Sequence, residues 1–326
     1  MRLESRTDER RRGCRHGWGG LVLLVFLLSR TVSAADIPKN LAALLKREYR
    51  LTRTPRPGET AYYRIRRTDM TMDSGGAITS RMESTGLFSR TVLYIGPAGT
   101  WIDRYTWKSF TTGRSEGPAD SVRQSEVTAI RGFSYELSPA EIGSLPALRV
   151  GGLAKTADTF AFFVAAWDAA TFDLPVTPRP SFPFESVRRI GDRVTEVKDN
   201  VPADFDFTPI VSNFSYTRRR LSSTFASLSV VGDTPCAVVH FGATDSPLTF
   251  DFLTETMAIR FNGTESMTGT AYVSLADGTV VRGEMTTVVV ASQTATLSGR
   301  TQRVQSPTVV RQHVLLERVT KVEFER

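Results

Sequence analysis

Cysteine and histidine are both scarce in this sequence, which has two cysteines and three histidines in 326 residues. So few cysteines exclude a disulfide-rich scaffold and a cysteine-rich zinc module. So few histidines exclude most metal sites that are built from imidazole ligands. The sequence therefore predicts neither a metal site nor a cofactor.

Familiar catalytic motifs are missing as well. The chain has no Gly-x-Ser-x-Gly, no GxGxxG, no HExxH and no phosphate-binding loop. Asp204 and Asp206 alternate on an extended segment, about 7 Å apart, which leaves a carboxylate-dependent hydrolase open as an alternative. We predict that the protein has no catalytic residues and is not an enzyme.

The first 34 residues have the three parts of a secretory signal. Residues 1–19 are rich in arginine, residues 20–28 are apolar, and small residues surround Ala34 and Ala35. We predict a signal peptide at 1–34, cleaved near Ala34 or Ala35, and an exported protein that is periplasmic or secreted. The alternative is an uncleaved anchor, although the apolar run is shorter than the roughly 20 residues that span a bilayer. No membrane span is predicted once the signal is removed.

Removing this segment changes the meaning of the net charge of +7. Residues 1–34 contain seven arginines and three acids, so the remainder has 34 basic and 31 acidic residues. A nearly balanced chain gives no reason to expect nucleic acid as a partner. The arginine clusters at 64–67 and 218–220 are predicted to be solvated, and Cys236, with apolar neighbours, is predicted to be buried in a strand.

Most of the chain after residue 60 shows the alternation and turn signals of β-strands. In the last third, Gly232-Asp233, Asn262-Gly263 and Asp277-Gly278 each predict a tight turn. The last two turns would place Arg260 opposite Glu265 and Tyr272 opposite Gly283. The predicted meander has strands near 251–261, 264–275, 279–290 and 308–324.

Helices are predicted at three places between and before the strands. Residues 38–50 have leucines on one face, Ser138-Pro139 begins a capped helix, and residues 157–170 are apolar nearly all round. The last pattern predicts a helix buried against a sheet. The predicted fold is mainly β: a large curved antiparallel sheet, half-barrel-like, with one or two inserted helices. Residues 35–326 would form one domain; the alternative is a split into 35–174 and 184–326, joined by the extended proline-rich connector 175–183.

One strand carries an aromatic stripe. Trp101, Asp103, Tyr105 and Trp107 share a face at a period of two. Together with Phe163 and Trp167 of the predicted helix they are candidates for an amphipathic ligand wall. The alternative is that they fill the core, in which case the Asp103 carboxylate must be paired or hydrated.

The segment 231–239 and the late hairpin 269–290 resemble the strand–turn–strand pattern of bacterial periplasmic and envelope proteins with an incomplete β-barrel. These include the lipoprotein carrier and receptor families and uncharacterised relatives. The resemblance implies a half-barrel that encloses an apolar cavity for acyl chains, with helices as a lid. We therefore predict an exported, non-enzymatic envelope protein that binds a hydrophobic or amphipathic ligand. The candidate partners are a lipid or other apolar small molecule and an envelope protein; an interaction or assembly role is the alternative function.

Overall fold

The computed structural model describes residue 44 and residues 46–96, 100–117, 122–138, 152–179, 181–202, 211–253, 257–297 and 300–326. Residues Arg47–Arg326 form one compact unit. The predicted signal at 1–34 and the pair Asp204 and Asp206 lie outside the described residues. The helix predicted to begin at Ser138-Pro139 also lies outside them, except for Ser138 itself. Of the helix predicted at 38–50, Leu44 and Lys46 are helical and residues 47–50 are not, while the others lie outside the described residues.

A single antiparallel sheet dominates the described part of the chain, where it has eleven strands. They are β1 (Thr60–Met72), β2 (Ile78–Ile95), β3 (Trp101–Glu116), β4 (Ser125–Glu126), β5 (Ser134–Leu137), β6 (Arg193–Pro202), β7 (Val211–Val231), β8 (Thr234–Leu253), β9 (Met257–Ser274), β10 (Val280–Leu297) and β11 (Arg300–Val319). Their order is β4-β3-β2-β1-β11-β10-β9-β8-β7-β6, and β5 also pairs with β3. The predicted fold class is confirmed.

The inner face of the sheet is the one on which the single long helix of the described residues, α1 (Ala157–Thr171), packs. Thr156 and Thr159 cap its N-terminus reciprocally, each side chain bonding the other's backbone N–H. α1 contacts β1, β2 and β3. Phe172, which ends it, lies on Gly283 of β10 and 6.2 Å from the Phe241 ring of β8. Because one helix touches both halves of the sheet, the sheet curves around it, and the prediction of a buried helix at 157–170 is confirmed.

Two of the three predicted turns are confirmed. Gly232 and Asp233 connect β7 to β8, and the β9–β10 connection contains Gly278 at φ +72°, a conformation that glycine adopts without strain. The register beyond it differs by one residue from the prediction, since Tyr272 faces Arg282 and Gly283 faces Ala271. Gly283 is covered by Phe172 of the helix end instead of by Tyr272.

The turn predicted at Asn262-Gly263 was wrong. Both residues lie inside β9, where Arg260 pairs with Asp251 and Thr294 rather than with Glu265. A Cβ on Gly263 would come within 2.4 Å of the Val290 carbonyl oxygen. Glycine is therefore required here by the close approach of a neighbouring strand, and the strands predicted at 251–261 and 264–275 belong to β8 and one long β9.

Other boundaries also differ from the sequence-based expectation. β11 ends at Val319 and is followed by a short helix, α2 (Lys321–Glu325), so the strand predicted to reach residue 324 is shorter. The connector 175–183 is not extended throughout: Leu174–Val176 is a 3-10 turn, and Phe182 is fully buried. Cys236 is a buried free cysteine in β8, as predicted.

Candidate functional site

The inner face carries a half-buried aromatic surface on strand segments next to α1. Phe250 of β8 and Phe261 of β9 face each other with stacked rings 4.4 Å apart, and Phe214 of β7 lies 5.7 Å from Phe250. Leu248 and Trp167 of α1 complete the contact. We call these five residues the aromatic wall.

A β-bulge places the wall on the inner face. Along β8 the inward positions are odd-numbered as far as Ala243, which is buried. The register shifts between Ala243 and Ser246, and Asp245 adopts a positive φ of 48°. Beyond it the inward positions are even-numbered, so Leu248 and Phe250 face the same side as Ala243.

An ionic cluster lies beside the wall. Arg67 of β1 donates to the Asp69 carboxylate at 2.9 Å and also to Asp168 of α1. Tyr216 donates its hydroxyl proton to Glu265 at 2.8 Å, and Arg219 lies 3.7 Å from the same carboxylate. These six residues form the ionic cluster, in which Glu265 is near enough to Asp168 to raise the pKa of that carboxyl.

The electrostatics of the ionic cluster follow from burial. One guanidinium, Arg67, lies between two carboxylates and cannot neutralise both. Burial therefore raises the pKa of Asp168 to about 6 and also raises that of Asp69, although Arg67 opposes both shifts. Burial and the nearby Glu265 raise the pKa of the Tyr216 hydroxyl far above its ordinary value. The cluster can hold a proton at mildly acidic pH.

Among the described residues, two polar atoms of this cluster have no hydrogen-bond partner although they are buried: Oδ1 of Asp69 and Nε of Arg219. Arg219 also places its guanidinium 4.8 Å from the centre of the Tyr216 ring. With all groups ionised the cluster has three carboxylates and two guanidiniums. Hydrogen-bonding atoms without a partner and one excess carboxylate therefore lie beside the aromatic wall.

The residues predicted as a ligand wall are divided among the core, an ion pair and the aromatic wall. Tyr105 and Trp107 are almost completely buried: Tyr105 stacks on Tyr135, and Trp107 packs on Phe88, Phe162 and Gly86. Phe163 is buried in the same core. Trp167 belongs instead to the aromatic wall, next to Tyr216 and Leu248.

Asp103, at the start of the predicted stripe, is fully buried and paired. Arg53 donates to its Oδ2 at 2.7 Å, and the indole N–H of Trp101 donates to the same atom at 3.2 Å. Arg90 lies 3.7 Å away and also bonds Asp173 after α1. The expectation that this carboxylate must be paired is confirmed, and its contacts tie the segment before β1 to the end of α1.

Sequence reasoning missed the ionic cluster. Arg67 was expected to be solvated with its neighbours at 64–66, but it is buried, whereas Arg66 is exposed and paired with Glu317. A signal was present: Tyr63, Ile65, Arg67 and Asp69 occupy one face of β1 at a period of two. A charged residue that continues an apolar face, like Asp168 in the apolar helix, indicates a buried polar contact.

Two further properties bear on function. In the part of the chain that the structure describes, no three His, Cys, Asp or Glu side chains are grouped so that they could hold a metal ion. No described helix combines the length and apolar character that are needed to cross a membrane.

No family model matches the sequence, and no curated protein matches it. Among solved structures, a Bacteroides fragilis protein described as exported, with a YmcC-like fold, aligns at 12% identity over 81% of this chain and 97% of its own, with a TM-score of 0.17. OccK7 of Pseudomonas aeruginosa aligns at 9% identity over 80% of this chain and 98% of its own, with a TM-score of 0.20. The outer membrane protein OmpT of Vibrio cholerae aligns at 9% identity, over 82% and 99%, with a TM-score of 0.21. At this level of similarity, the fold is established by the strand pairing of this chain alone.

Proposed function

We propose that this protein is an exported, non-enzymatic envelope protein that binds a lipid-like amphipathic ligand on the inner face of its sheet. The observation that carries the proposal is the aromatic wall. The rings of Phe214, Phe250 and Phe261 contact one another across three strands but remain half-buried, whereas Phe162 of α1 and Trp107, against which it packs, are fully buried. Contiguous apolar surface inside a curved sheet suits a hydrocarbon chain.

The extent of the apolar surface supports a chain rather than a compact ligand. Three successive rows of inward positions run along β8 and β9, the first containing Leu248, the second Phe250 and Phe261, and the third Phe252 and Ile259. Rows are two residues apart, so the surface extends about 13 Å along the strands. Leu248 is itself buried, so an acyl chain lying along this direction would contact the second and third rows.

The ionic cluster gives the ligand its polar end. Arg219 and Glu265 have side chains that are 16% and 12% exposed, against 3% for Arg67, so they form the more accessible side of the cluster. A polar head group placed there would meet the exposed parts of the Arg219 and Glu265 side chains. An amphipathic ligand therefore fits better than a pure hydrocarbon.

The proposed location comes from the sequence. The basic, apolar and small-residue segments of residues 1–34 are those of an export signal. The absence of recognisable catalytic motifs from the sequence supports binding rather than catalysis. Both points are part of the proposal.

The test begins with protein purified from a bacterial envelope without added lipid. Native mass spectrometry should find an adduct with the mass of a fatty acid or phospholipid. After delipidation, palmitate with bromine atoms on its chain should quench the fluorescence of Trp167, which borders the wall. A Trp167→Phe variant identifies the contribution of this indole.

The variant pair Phe250→Ser and Phe261→Ser should weaken palmitate binding about tenfold or more, because each removes a large apolar contact. The matched control is Tyr94→Ser, which removes an aromatic side chain that is 56% exposed and outside the wall. Its affinity should equal that of the wild type. If the wild type shows no lipid adduct and no quenching of Trp167, the proposed function is refuted.

A further inference from the structure

The opposite, outer face of the sheet has a polar groove that the proposed function does not use. Two adjoining hollows of about 390 and 380 Å³ share His240 and Thr268. The outward-pointing residues that line them, which we call the outer groove, are Arg193, Arg220, Ser222, Thr224, His240, Gly242, Thr244, Thr268, Thr270, Glu284 and Thr286. Phe241 and Met267 also border the hollows, but their side chains are buried.

The strand register arranges these side chains in rows. Arg193 of β6, Thr224 of β7, His240 of β8, Thr270 of β9 and Glu284 of β10 follow one another directly across five strands. Neighbouring strands are about 4.8 Å apart, so the row spans roughly 19 Å. The two ends of the groove therefore carry opposite charges.

The adjacent row supplies hydroxyl groups and a floor. Ser222, Gly242, Thr268 and Thr286 lie opposite one another on β7, β8, β9 and β10. Gly242 has no side chain, and a Cβ there would lie 2.7 Å from the Met267 carbonyl oxygen of the neighbouring strand. His240 accepts or donates a hydrogen bond with the Thr270 hydroxyl at 3.0 Å, which fixes the imidazole in the middle of the groove.

Both arginines of the groove line the same hollow. Arg193 and Arg220 are exposed, and neither forms an ion pair or hydrogen bond with a carboxylate among the described residues. At the far end, Glu284 bonds His313 at 3.0 Å. Arg193 and Arg220 are four residues apart in register, about 13 Å along the strands. Both line the same hollow as the Ser222 and Thr224 hydroxyls, where a carboxylate or phosphate between them could contact both guanidiniums.

We propose that the outer groove binds an anionic sugar, a molecule rich in hydroxyls that carries a carboxylate or phosphate group. The anionic group would be bound by Arg193 and Arg220. The sugar hydroxyls would form hydrogen bonds with Thr268, Thr286 and His240. Each threonine hydroxyl can donate and accept, and a neutral imidazole donates from one ring nitrogen and accepts at the other. The site is independent of the lipid site, because it lies on the other face of the sheet.

The experiment is isothermal titration calorimetry of the purified protein with four probes. Trigalacturonate carries carboxylates and glucose 6-phosphate carries a phosphate. Maltotriose is a neutral sugar, and inorganic phosphate is an anion without a sugar. At least one anionic sugar should bind, more tightly than maltotriose and more tightly than inorganic phosphate. Its affinity should fall with rising salt concentration, because the arginines are exposed.

Variants locate the bound anion. Arg193→Gln combined with Arg220→Gln should reduce the affinity about tenfold or more, since two charge-assisted contacts are lost. Thr268→Val should reduce it less and should act equally on both anionic sugars. Arg104→Gln is the matched control: it removes an exposed arginine of β3, outside the groove, and should leave the affinity unchanged.

Three results would overturn the inference: no anionic sugar binds, maltotriose or inorganic phosphate binds as tightly as the anionic sugars, or the double arginine variant keeps full affinity. The substituted arginines are all exposed, so circular dichroism should show that the arginine variants fold like the wild type. Loss of palmitate binding in the aromatic-wall variants would leave the sugar affinity as it is, which separates a failure of this inference from a failure of the proposed function.

Discussion

Replacing Asp168 with asparagine should change how the stability of the protein depends on pH. Asp168 is 5% exposed and shares Arg67 with Asp69, and burial raises its pKa to about 6 from an ordinary 3.8. Because the folded-state pKa is raised, the folded protein gains stability from protonation, fully so below the unfolded pKa. This contribution is lost as the pH rises through 6.

The size of the effect follows from the shift. A shift of this size corresponds to about 3 kcal/mol in total, of which about 2 kcal/mol falls between pH 4.5 and 7.5. Asparagine does not titrate but still offers an oxygen to Arg67. The unfolding free energy of the wild type minus that of Asp168→Asn should therefore fall by about 2 kcal/mol over this pH range.

The assay is urea unfolding followed by circular dichroism at several pH values, for the wild type and the variant. Asp158→Asn is the control, because Asp158 is an exposed residue in the first turn of the same helix. Its stability difference from the wild type should stay nearly constant. If the Asp168 difference instead grows with pH, attraction to Arg67 outweighs burial, and the reasoning is refuted.

Three further predictions concern the core. Gly283→Ala should destabilise the protein by about 1–3 kcal/mol, because the new Cβ would lie 2.3 Å from the Phe172 ring; a lowered thermal midpoint, partly restored by Phe172→Leu, checks this, and an unchanged midpoint would contradict it. Asp103→Asn should cost about 3–5 kcal/mol, because Arg53 would lose its buried charge partner; urea unfolding measures the loss, with the exposed pair variant Glu136→Gln as control. Cys236 should react with a thiol reagent far more slowly in the folded protein than in urea, because it is buried and burial raises its thiol pKa; equal rates would show that the strand opens readily.

Local sequence signals predicted the elements that local physics controls. The helix at 157–170 is capped by its own residues and is apolar nearly all round, so its pattern reflects its buried position. The turns at Gly232-Asp233 and Asp277-Gly278 coincide with positive φ angles at their glycines. In these places the residues that determine the backbone conformation are within a few positions of the backbone that they shape.

Long-range contacts decided the features that the sequence did not predict. Asn262-Gly263 has the composition of a hairpin, but Gly263 is needed because Val290 and Ala291 of the next strand approach it closely. The aromatic wall depends on the bulge at Asp245, which reverses the inward positions of β8. A one-residue change of facing cannot be inferred from alternation in the sequence, because alternation continues on both sides of it.

The candidate site was located only in part from the sequence. Trp167, one of the six predicted site residues, belongs to the aromatic wall. Tyr105 and Trp107 are instead buried in the core, where they pack against other aromatic rings. The stripe of β3 and the wall are both rich in aromatic residues. Only the position of α1, which covers one part of the inner face, distinguishes them.

The pairing of the first long strand with the last one has a consequence for biosynthesis. β1 hydrogen-bonds to β11 over eleven residue pairs, so the two halves of the sheet are joined through strands that are almost 250 positions apart in the chain. Such contacts form late, because the entropy of closing a long loop must be overcome first. A chain that is still being synthesised lacks β11 and cannot join the two halves of the sheet. Completion of the sheet therefore waits for the final segment, which is compatible with the export that we propose.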